Sequence, residues 1–164
     1  MKKYLLLLSV VVLGLSSCKK VDFVTEQAAI DDAKIQAYIA ASPSTTAGIT
    51  KDASGIYYKI LTPTPGAGPA PTEASTIKVS YKGTLLNGAN FDQSSGLTIK
   101  LASTIKGWQI GVLKINGPTT SSSNDGGKIL LIVPSALAYG SAGVGSLPAN
   151  SVLVFTIDLI GLGV

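Results

Sequence analysis

The segment "YKGTLLNGANFDQSSG", residues 81–96, places an aspartate, Asp92, directly behind an aromatic residue, Phe91. Asp92 has no histidine to exchange a proton with, because the chain contains none, and its single cysteine is Cys18. A Ser-His-Asp triad, a Cys-His pair and a zinc site of usual composition are therefore excluded. The 9 acidic residues form no Asp-x-Asp-x-Asp cluster, so no metal or other cofactor is predicted. Asp92 either caps a turn, the commoner role before Gln-Ser-Ser, or belongs to a site that needs no ordinary proton transfer.

The composition predicts one domain with a substantial apolar core. Of the 164 residues, 46% are hydrophobic and only 13% are charged, which argues against disorder. All 13 basic residues are lysines, and the net charge is +4. This charge is weak and scattered, and arginine, the usual base-reading side chain, is missing. We therefore expect no nucleic-acid partner.

The first residues have the pattern of an export signal. A basic "MKK" precedes an apolar run at residues 4–15, which is short of the ~20 residues that cross a bilayer as a helix. We predict a signal peptide over residues 1–17. The "LSSC" that follows resembles a bacterial lipobox, in which Cys18 is lipidated and becomes the new N-terminus; the alternative is an ordinary signal peptide with a chance cysteine. The expected location is the bacterial cell envelope, with the protein held at a membrane by lipid and facing the periplasm or the surface.

The remaining sequence predicts a helix, then a domain of strands and one short helix. The helix at residues 22–41 is rich in alanine and is expected either to act as a spacer or to pack on the domain. In residues 104–115 the apolar residues fall on one helical stripe, and Gly107 and Gly111 indicate a close approach to other backbone. Alternating or continuous apolar patterns predict strands at residues 55–61, 76–86, 97–101, 128–133 and 151–162, with loops at 62–74 and 118–127. The fold class is therefore α+β, with a helix packed on an antiparallel sheet.

Five motifs in order resemble the FKBP-type peptidyl-prolyl cis-trans isomerases, over residues 54–164. They are a Tyr-x-Gly strand end, a Gly-x-x-Phe-Asp-x-Ser turn, an Ile-x-Gly-Trp helix start, a Pro-x-x-Leu-Ala-Tyr-Gly loop and a final Pro-x-Asn-x-x-Leu-x-Phe strand. The resemblance implies an FKBP-like twisted antiparallel sheet wrapped around one short helix, preceded by an N-terminal helical spacer. Together with the predicted signal peptide and lipobox, it gives a signal peptide at 1–17, a lipid-anchored tether and helix at 18–53, and an isomerase domain at 54–164.

The resemblance also implies a pocket that binds a prolyl residue between the helix and the sheet. Trp108 would form its floor, while the Ile105 N–H and the Tyr139 hydroxyl would donate to substrate carbonyls. Asp92 is expected to accept a hydrogen bond from Tyr81. The implied catalytic residues are Tyr81, Phe91, Asp92 and Tyr139, and the implied substrate-binding residues are Leu97, Thr104, Ile105, Trp108, Leu147 and Phe155. Taken singly, Trp108 and Phe155 are ordinary core residues.

Isomerisation of an X–Pro bond suits a site without histidine or cysteine, because no bond breaks and no proton has to move. We therefore expect an isomerase that assists the folding of exported, proline-containing polypeptides. One alternative is a chaperone-like or partner-binding module with the same pocket and little turnover. Another is a structural envelope protein. The sequence leaves the oligomeric state open.

Overall fold

The computed structural model describes residues 23–62, 66–120 and 124–163. The helices are α1 (Phe23–Ala41), α2 (Pro43–Thr46) and α3 (Lys106–Val112). The strands are β1 (Thr50–Lys51), β2 (Tyr57–Ile60), β3 (Thr76–Leu85), β4 (Asn90–Lys100), β5 (Lys128–Val133) and β6 (Leu153–Gly163). Short 3-10 turns cover Leu101–Ser103, Ser135–Leu137 and Gly140–Ala142. The predicted signal peptide and Cys18 lie outside the described residues.

The described strands form one antiparallel sheet in the order β1-β2-β5-β6-β3-β4. The continuous apolar runs of β5 and β6 place these strands in the middle, where both of their faces are covered. In β3 the alternating pattern gives buried Ile77 and Val79 and exposed Lys78. The predicted α+β class and the antiparallel sheet are confirmed.

The inner face of the sheet packs against α3 and contains the larger core. Trp108 and Val112 of the helix stripe are buried against it, together with Ile115 just beyond the helix. We call this the inner core; its buried residues are Ile56, Ile77, Val79, Leu101, Trp108, Val112, Ile115, Ile129, Leu131, Val133, Leu147, Leu153, Phe155, Ile157 and Leu159.

Two glycines allow α3 to approach the sheet closely. A Cβ atom on Gly107 would lie 2.3 Å from a methyl carbon of Val133, and one on Gly111 would lie 2.4 Å from a methyl carbon of Leu131. The expected close approach is present, but the expectation that the neighbours are backbone atoms was wrong. The neighbours are buried side chains of β5, because that strand turns one row of branched residues toward the helix.

The outer face of the sheet is partly covered by α1, so this helix packs on the domain and is not a detached spacer. Ile35 is fully buried, and Tyr38 and Ile39 are packed beside it. Asp32 accepts hydrogen bonds from Lys51 and from the Tyr57 hydroxyl, which ties the helix to β1 and β2. We call this the outer core; its buried residues are Ile35, Tyr57, Leu130, Ile132, Val152 and Val154.

Two elements differ by more than two residues at one end from the bounds expected from the sequence. The strand predicted at 97–101 begins earlier, at Asn90, because its first residues pair with the end of β3. Asp92 lies opposite Gly83 inside this pairing, so of the two alternatives for this residue the turn cap does not apply. The helix predicted over 104–115 is shorter, since regular helix extends only over Lys106–Val112.

The described helices include none with the length and apolar character of a membrane span. Likewise, the acidic side chains of residues 23–62, 66–120 and 124–163 form no group of three that is arranged to hold a metal ion.

Candidate active site

A cavity of about 250 Å³ opens between the inner face of the sheet and the start of α3. One side is formed by β3 and β4, the two strands at one edge of the sheet, through Tyr81, Asp92, Leu97 and Ile99. The opposite side, the floor and the rim are formed by Ser103, Thr104, Ile105, Trp108, Tyr139 and Phe155. The lining is mainly apolar with a few polar groups, which is the usual composition of a small-molecule pocket.

Three aromatic rings meet nearly at right angles at the base of this pocket. The Trp108 ring lies 4.9 Å from the Tyr81 ring, with an interplanar angle of 81°, and 5.4 Å from the Phe155 ring, with an angle of 86°. Edge-to-face contacts of this kind are favourable because the positive edge of one ring meets the negative face of another. Each ring fixes the orientation of its neighbour, so the pocket has rigid walls.

Tyr81 and Asp92 form the polar pair of the pocket. The Tyr81 hydroxyl donates to Asp92 Oδ2 over 2.7 Å, so the hydrogen bond expected from the sequence is present. Burial, and then the hydrogen bond to Asp92, hold the pKa of Tyr81 well above its usual range. Tyr81 therefore keeps its proton at neutral pH, and its uncharged hydroxyl donates the hydrogen bond to Asp92.

Gly83 makes room for the aromatic cluster. A Cβ atom at this position would lie 2.7 Å from a ring carbon of Phe91 and 2.9 Å from one of Phe155. Phe91 in turn packs edge-on against Phe155, with ring centroids 5.6 Å apart at 82°. In the Tyr-x-Gly pattern of β3, Tyr81 thus supplies a ring that lines the pocket, and Gly83 leaves space for the rings of Phe91 and Phe155.

The segment that enters α3 is fixed by the buried side chain of Gln109. Its amide nitrogen donates to the carbonyl of Thr104 over 2.7 Å and to that of Ala102 over 3.1 Å. These bonds hold the pocket side formed by residues 103–105. The Ile105 N–H, at the start of the helix, donates to no carbonyl of a described residue, so it is available to a ligand.

Tyr139 reaches the rim from a loop that follows β5. The loop begins with the 3-10 turn Ser135–Leu137, where the Ala138 N–H donates to the Ser135 carbonyl over 3.0 Å. Tyr139 is 38% exposed, a large value for an aromatic residue, which places its ring at the mouth and not in the core. A hydroxyl in this position can reach a bound peptide.

The structure brings eight of the ten implied site residues to the cavity wall. The other two lie behind the wall: Phe91 supports Phe155 from the far side, and Leu147 is buried in the inner core. Two lining residues were not among those implied. Ile99 shares a strand face with Leu97, so the alternation of β4 contained a signal for it, whereas Ser103 lies in a 3-10 turn for which the sequence has no signal.

These features define an α+β domain whose sheet and short helix enclose a pocket for one small apolar group. No proton-transfer pair lies in the pocket, since its only acid, Asp92, accepts from a tyrosine that keeps its proton. Such a site can bind and orient a substrate, and it can favour one conformation of that substrate over another.

The chain belongs to the FKBP-type peptidyl-prolyl cis-trans isomerase family. The family model matches residues 68–160, more than half of the chain. The chain is also 38% identical over 117 residues to "FKBP-type peptidyl-prolyl cis-trans isomerase FkpA" of Escherichia coli (strain K12), a match that covers 69% of this chain and 40% of that protein. The family expected from the sequence is therefore confirmed.

Solved structures of the family agree with this assignment. The crystal structure of FkpA from Escherichia coli superimposes with a TM-score of 0.65 at 31% identity, covering 85% of this chain and 63% of that one. A peptidyl-prolyl cis-trans isomerase from Pseudomonas syringae superimposes with a TM-score of 0.63 at 32% identity, covering 81% of this chain and 96% of that one. The chain thus spans about 40% of the curated FkpA sequence but nearly the whole of the second solved structure.

Proposed function

We propose that this protein is a peptidyl-prolyl cis-trans isomerase that accelerates rotation about X–Pro bonds in exported polypeptides. The observation that carries the proposal is the pocket of about 250 Å³ walled by the crossed rings of Tyr81, Trp108 and Phe155. Rigid aromatic walls around a small apolar space fit a pyrrolidine ring, and family membership supports the same reading.

The chemistry of prolyl rotation explains why such a pocket is sufficient. The amide resists rotation by a barrier of ~18–20 kcal/mol, because resonance gives its C–N bond double-bond character. Resonance is lost in the twisted form, which therefore has less charge separation than either planar form. An apolar wall suits the twisted form better than water does, so the pocket binds it preferentially and lowers the barrier.

We assign roles to the polar groups on the same basis. The Ile105 N–H and the Tyr139 hydroxyl donate to substrate carbonyls on either side of the pocket, and so hold the peptide in place while its prolyl bond turns. Asp92 accepts from Tyr81 and sets the orientation and polarity of the wall. It does not act as a general base, because the reaction has no proton to remove.

The test is a protease-free exchange measurement, by NMR, of cis and trans forms of a proline-containing peptide with the purified protein. Uncatalysed interconversion takes tens of seconds, and we expect the protein to shorten it by orders of magnitude. Tyr139→Phe and Asp92→Ala should each lower kcat/KM, whereas Tyr58→Phe, which removes a hydroxyl outside the pocket, should not. Peptide binding without faster exchange would instead identify a binding module and refute the proposal.

We further propose that the protein is lipidated at Cys18 and anchored to a membrane of the bacterial cell envelope. The support is the order of a basic start, an apolar run and a single cysteine behind "LSS". Expression in a bacterium with a labelled fatty acid should give a labelled, membrane-associated protein, and Cys18→Ala should lose both properties. A wild-type protein released without label would show that the leader is an ordinary signal peptide.

A further inference from the structure

A buried carboxylate on α1 lies outside the residues that the family model matches and outside the pocket. Asp31 is only 1% exposed, although aspartate is rarely buried so deeply. No described lysine forms an ion pair with it. Its charge is therefore stabilised by hydrogen bonds, and the partners that donate them show what the residue does.

The donors to Asp31 come mainly from the loop that leads to Tyr139. Asp31 Oδ2 accepts from the Ser135 N–H over 2.8 Å and from the Ser135 hydroxyl over 2.6 Å. Asp31 Oδ1 accepts from the Gln27 amide over 2.7 Å, one turn earlier on the helix. Ser135 is also 1% exposed, so water cannot replace either of its bonds.

Ser135 connects this carboxylate to the mouth of the pocket. Its N–H and hydroxyl are held by Asp31, while its carbonyl accepts from the Ala138 N–H and closes the turn that precedes Tyr139. Only three residues lie between Ser135 and Tyr139, and the turn leaves little freedom between them. On the far side of Tyr139, the Gly140 carbonyl accepts from the Asn150 N–H over 2.9 Å.

We infer that Asp31 is a positioning residue that holds Tyr139 at the pocket through its two hydrogen bonds to Ser135. This inference rests on the proposed function and extends it to α1, which then forms part of the catalytic unit. A charge-assisted pair of bonds from one serine fixes both the position and the rotation of the turn, which an apolar contact would not do. The loss of Asp31 leaves two buried donors without a partner, and the turn moves to expose them to water.

The neighbouring residue supplies a matched control. Asp32 fastens the same helix through Lys51 and the Tyr57 hydroxyl, at β1 and β2 and away from the Tyr139 loop. If α1 served only as a cover for the outer core, Asp31→Ala and Asp32→Ala would affect activity equally once both proteins are folded. If Asp31 positions Tyr139, the Asp31 variant alone loses activity.

The experiment compares isomerase activity of the full chain and its variants at a temperature where circular dichroism shows all of them folded. We expect Asp31→Ala to lower kcat/KM about tenfold and Asp32→Ala to change it less than about twofold. Asp31→Asn should recover most of the loss, because its oxygen still accepts from both Ser135 donors while the Gln27 amide turns to accept from its nitrogen. Equal losses in the two alanine variants would overturn the inference.

A double-mutant cycle separates positioning from general damage. In the Tyr139→Phe background the hydroxyl to be positioned is gone, so Asp31→Ala should cause a much smaller further loss than it does in the wild type. If Asp31→Ala lowered kcat/KM by the same factor in both backgrounds, the result would contradict a role through Tyr139.

Amide hydrogen exchange provides a readout that does not depend on activity. Residues 134–140 should exchange faster in Asp31→Ala than in Asp32→Ala, and unchanged protection there would refute the inference whatever the kinetics show. An inactive wild-type chain, by contrast, would contradict the proposed function.

Discussion

The two faces of the sheet are covered in different ways. On the inner face, α3 carries a large aromatic residue into the core, and the rings around it stop short of filling the space, so a pocket remains. On the outer face, α1 closes a smaller core in which Tyr38 and Tyr57 pack beside aliphatic side chains, and hydrogen bonds at Asp31 and Asp32 fasten the helix. The same sheet thus supports an open site on one face and a closed contact on the other. The difference lies in packing, because the rings at the pocket meet edge to face and leave a gap, whereas α1 lies directly on the side chains of the outer core.

The largest expected effect comes from removing the pocket floor. Trp108→Ala should lower the free energy of unfolding by about 3–5 kcal/mol and abolish measurable isomerisation, since this one ring belongs both to the inner core and to the pocket. Urea unfolding and peptide exchange measure the two effects. Trp108→Phe is the control, because it keeps a ring and should retain more of both stability and activity. Full activity in the alanine variant would show that the pocket does not depend on this ring.

The corresponding change on the outer face should cost stability alone. Ile35→Ala removes a fully buried side chain and should lower the free energy of unfolding by about 2–3 kcal/mol. The bonds of Asp31 to Ser135 remain, so kcat/KM of the folded protein should stay within about twofold of the wild type. A loss of activity as large as that in the Trp108 variants would remove the distinction between the two faces.

A smaller effect is expected where α3 touches the sheet. Gly107→Ala places a methyl group against the short, branched side chain of Val133, which cannot move aside, and should cost about 1–2 kcal/mol of stability. The displaced helix start should also weaken peptide binding, because Trp108 is the next residue. Gly96→Ala, whose added carbon would meet only the end of Lys78 at 3.7 Å, serves as the control. Equal melting temperatures for the two variants would contradict a tight helix–sheet contact.

The smallest expected effect concerns the polar pair of the pocket. Tyr81→Phe removes one hydrogen bond and should cost about 1 kcal/mol near neutral pH. The pKa of Tyr81 is raised in the folded state, so its protonated form is the one that folding favours. The contribution of Tyr81 to the free energy of unfolding is fully present below about pH 10, the pKa of tyrosine in the unfolded chain. It is lost as the pH rises further.

Two measurements check the pair. The wild type should lose stability between about pH 10 and 12 more steeply than Tyr81→Phe. In an ultraviolet titration of the folded proteins, the wild type should have one more tyrosine that ionises well above about pH 10 than Tyr81→Phe. The number of tyrosines that ionise at about pH 10 should be the same in both. Identical pH profiles for both proteins would show that the hydroxyl is not buried against Asp92.

Most elements were predictable because their patterns are local. The strand at Lys128–Val133 has the predicted bounds, and β3 and β6 lie within two residues of theirs, since apolar alternation or continuity follows directly from residue order. The start of β4 was missed because Asn90 and its neighbours join the sheet only through pairing with β3. The attachment of α1 was left open for the same reason: Ile35 indicates an apolar face, but the surface that covers it is formed by distant residues.

The site was predictable to the extent that motifs mark it. The aromatic residues and the pair Tyr81 and Asp92 followed from the family pattern, and their mutual geometry is that of one pocket wall. Leu147 and Phe91 pack in the core and do not line the cavity, a distinction that no sequence spacing contains. The hydrogen bonds that Ser135 donates to Asp31 join residues 104 positions apart, so no local pattern could indicate them.

Residue types and short-range periodicity were enough to indicate the family, the order of strands and helix along the chain, and a site without histidine or cysteine. Three features became visible only in the folded chain: α1 packs on the sheet, particular rings face one another, and the buried Asp31 carboxylate holds the loop at the pocket mouth. These outcomes depend on contacts between residues far apart in the chain, whose energies exist only after the sheet has brought them within hydrogen-bonding or van der Waals distance.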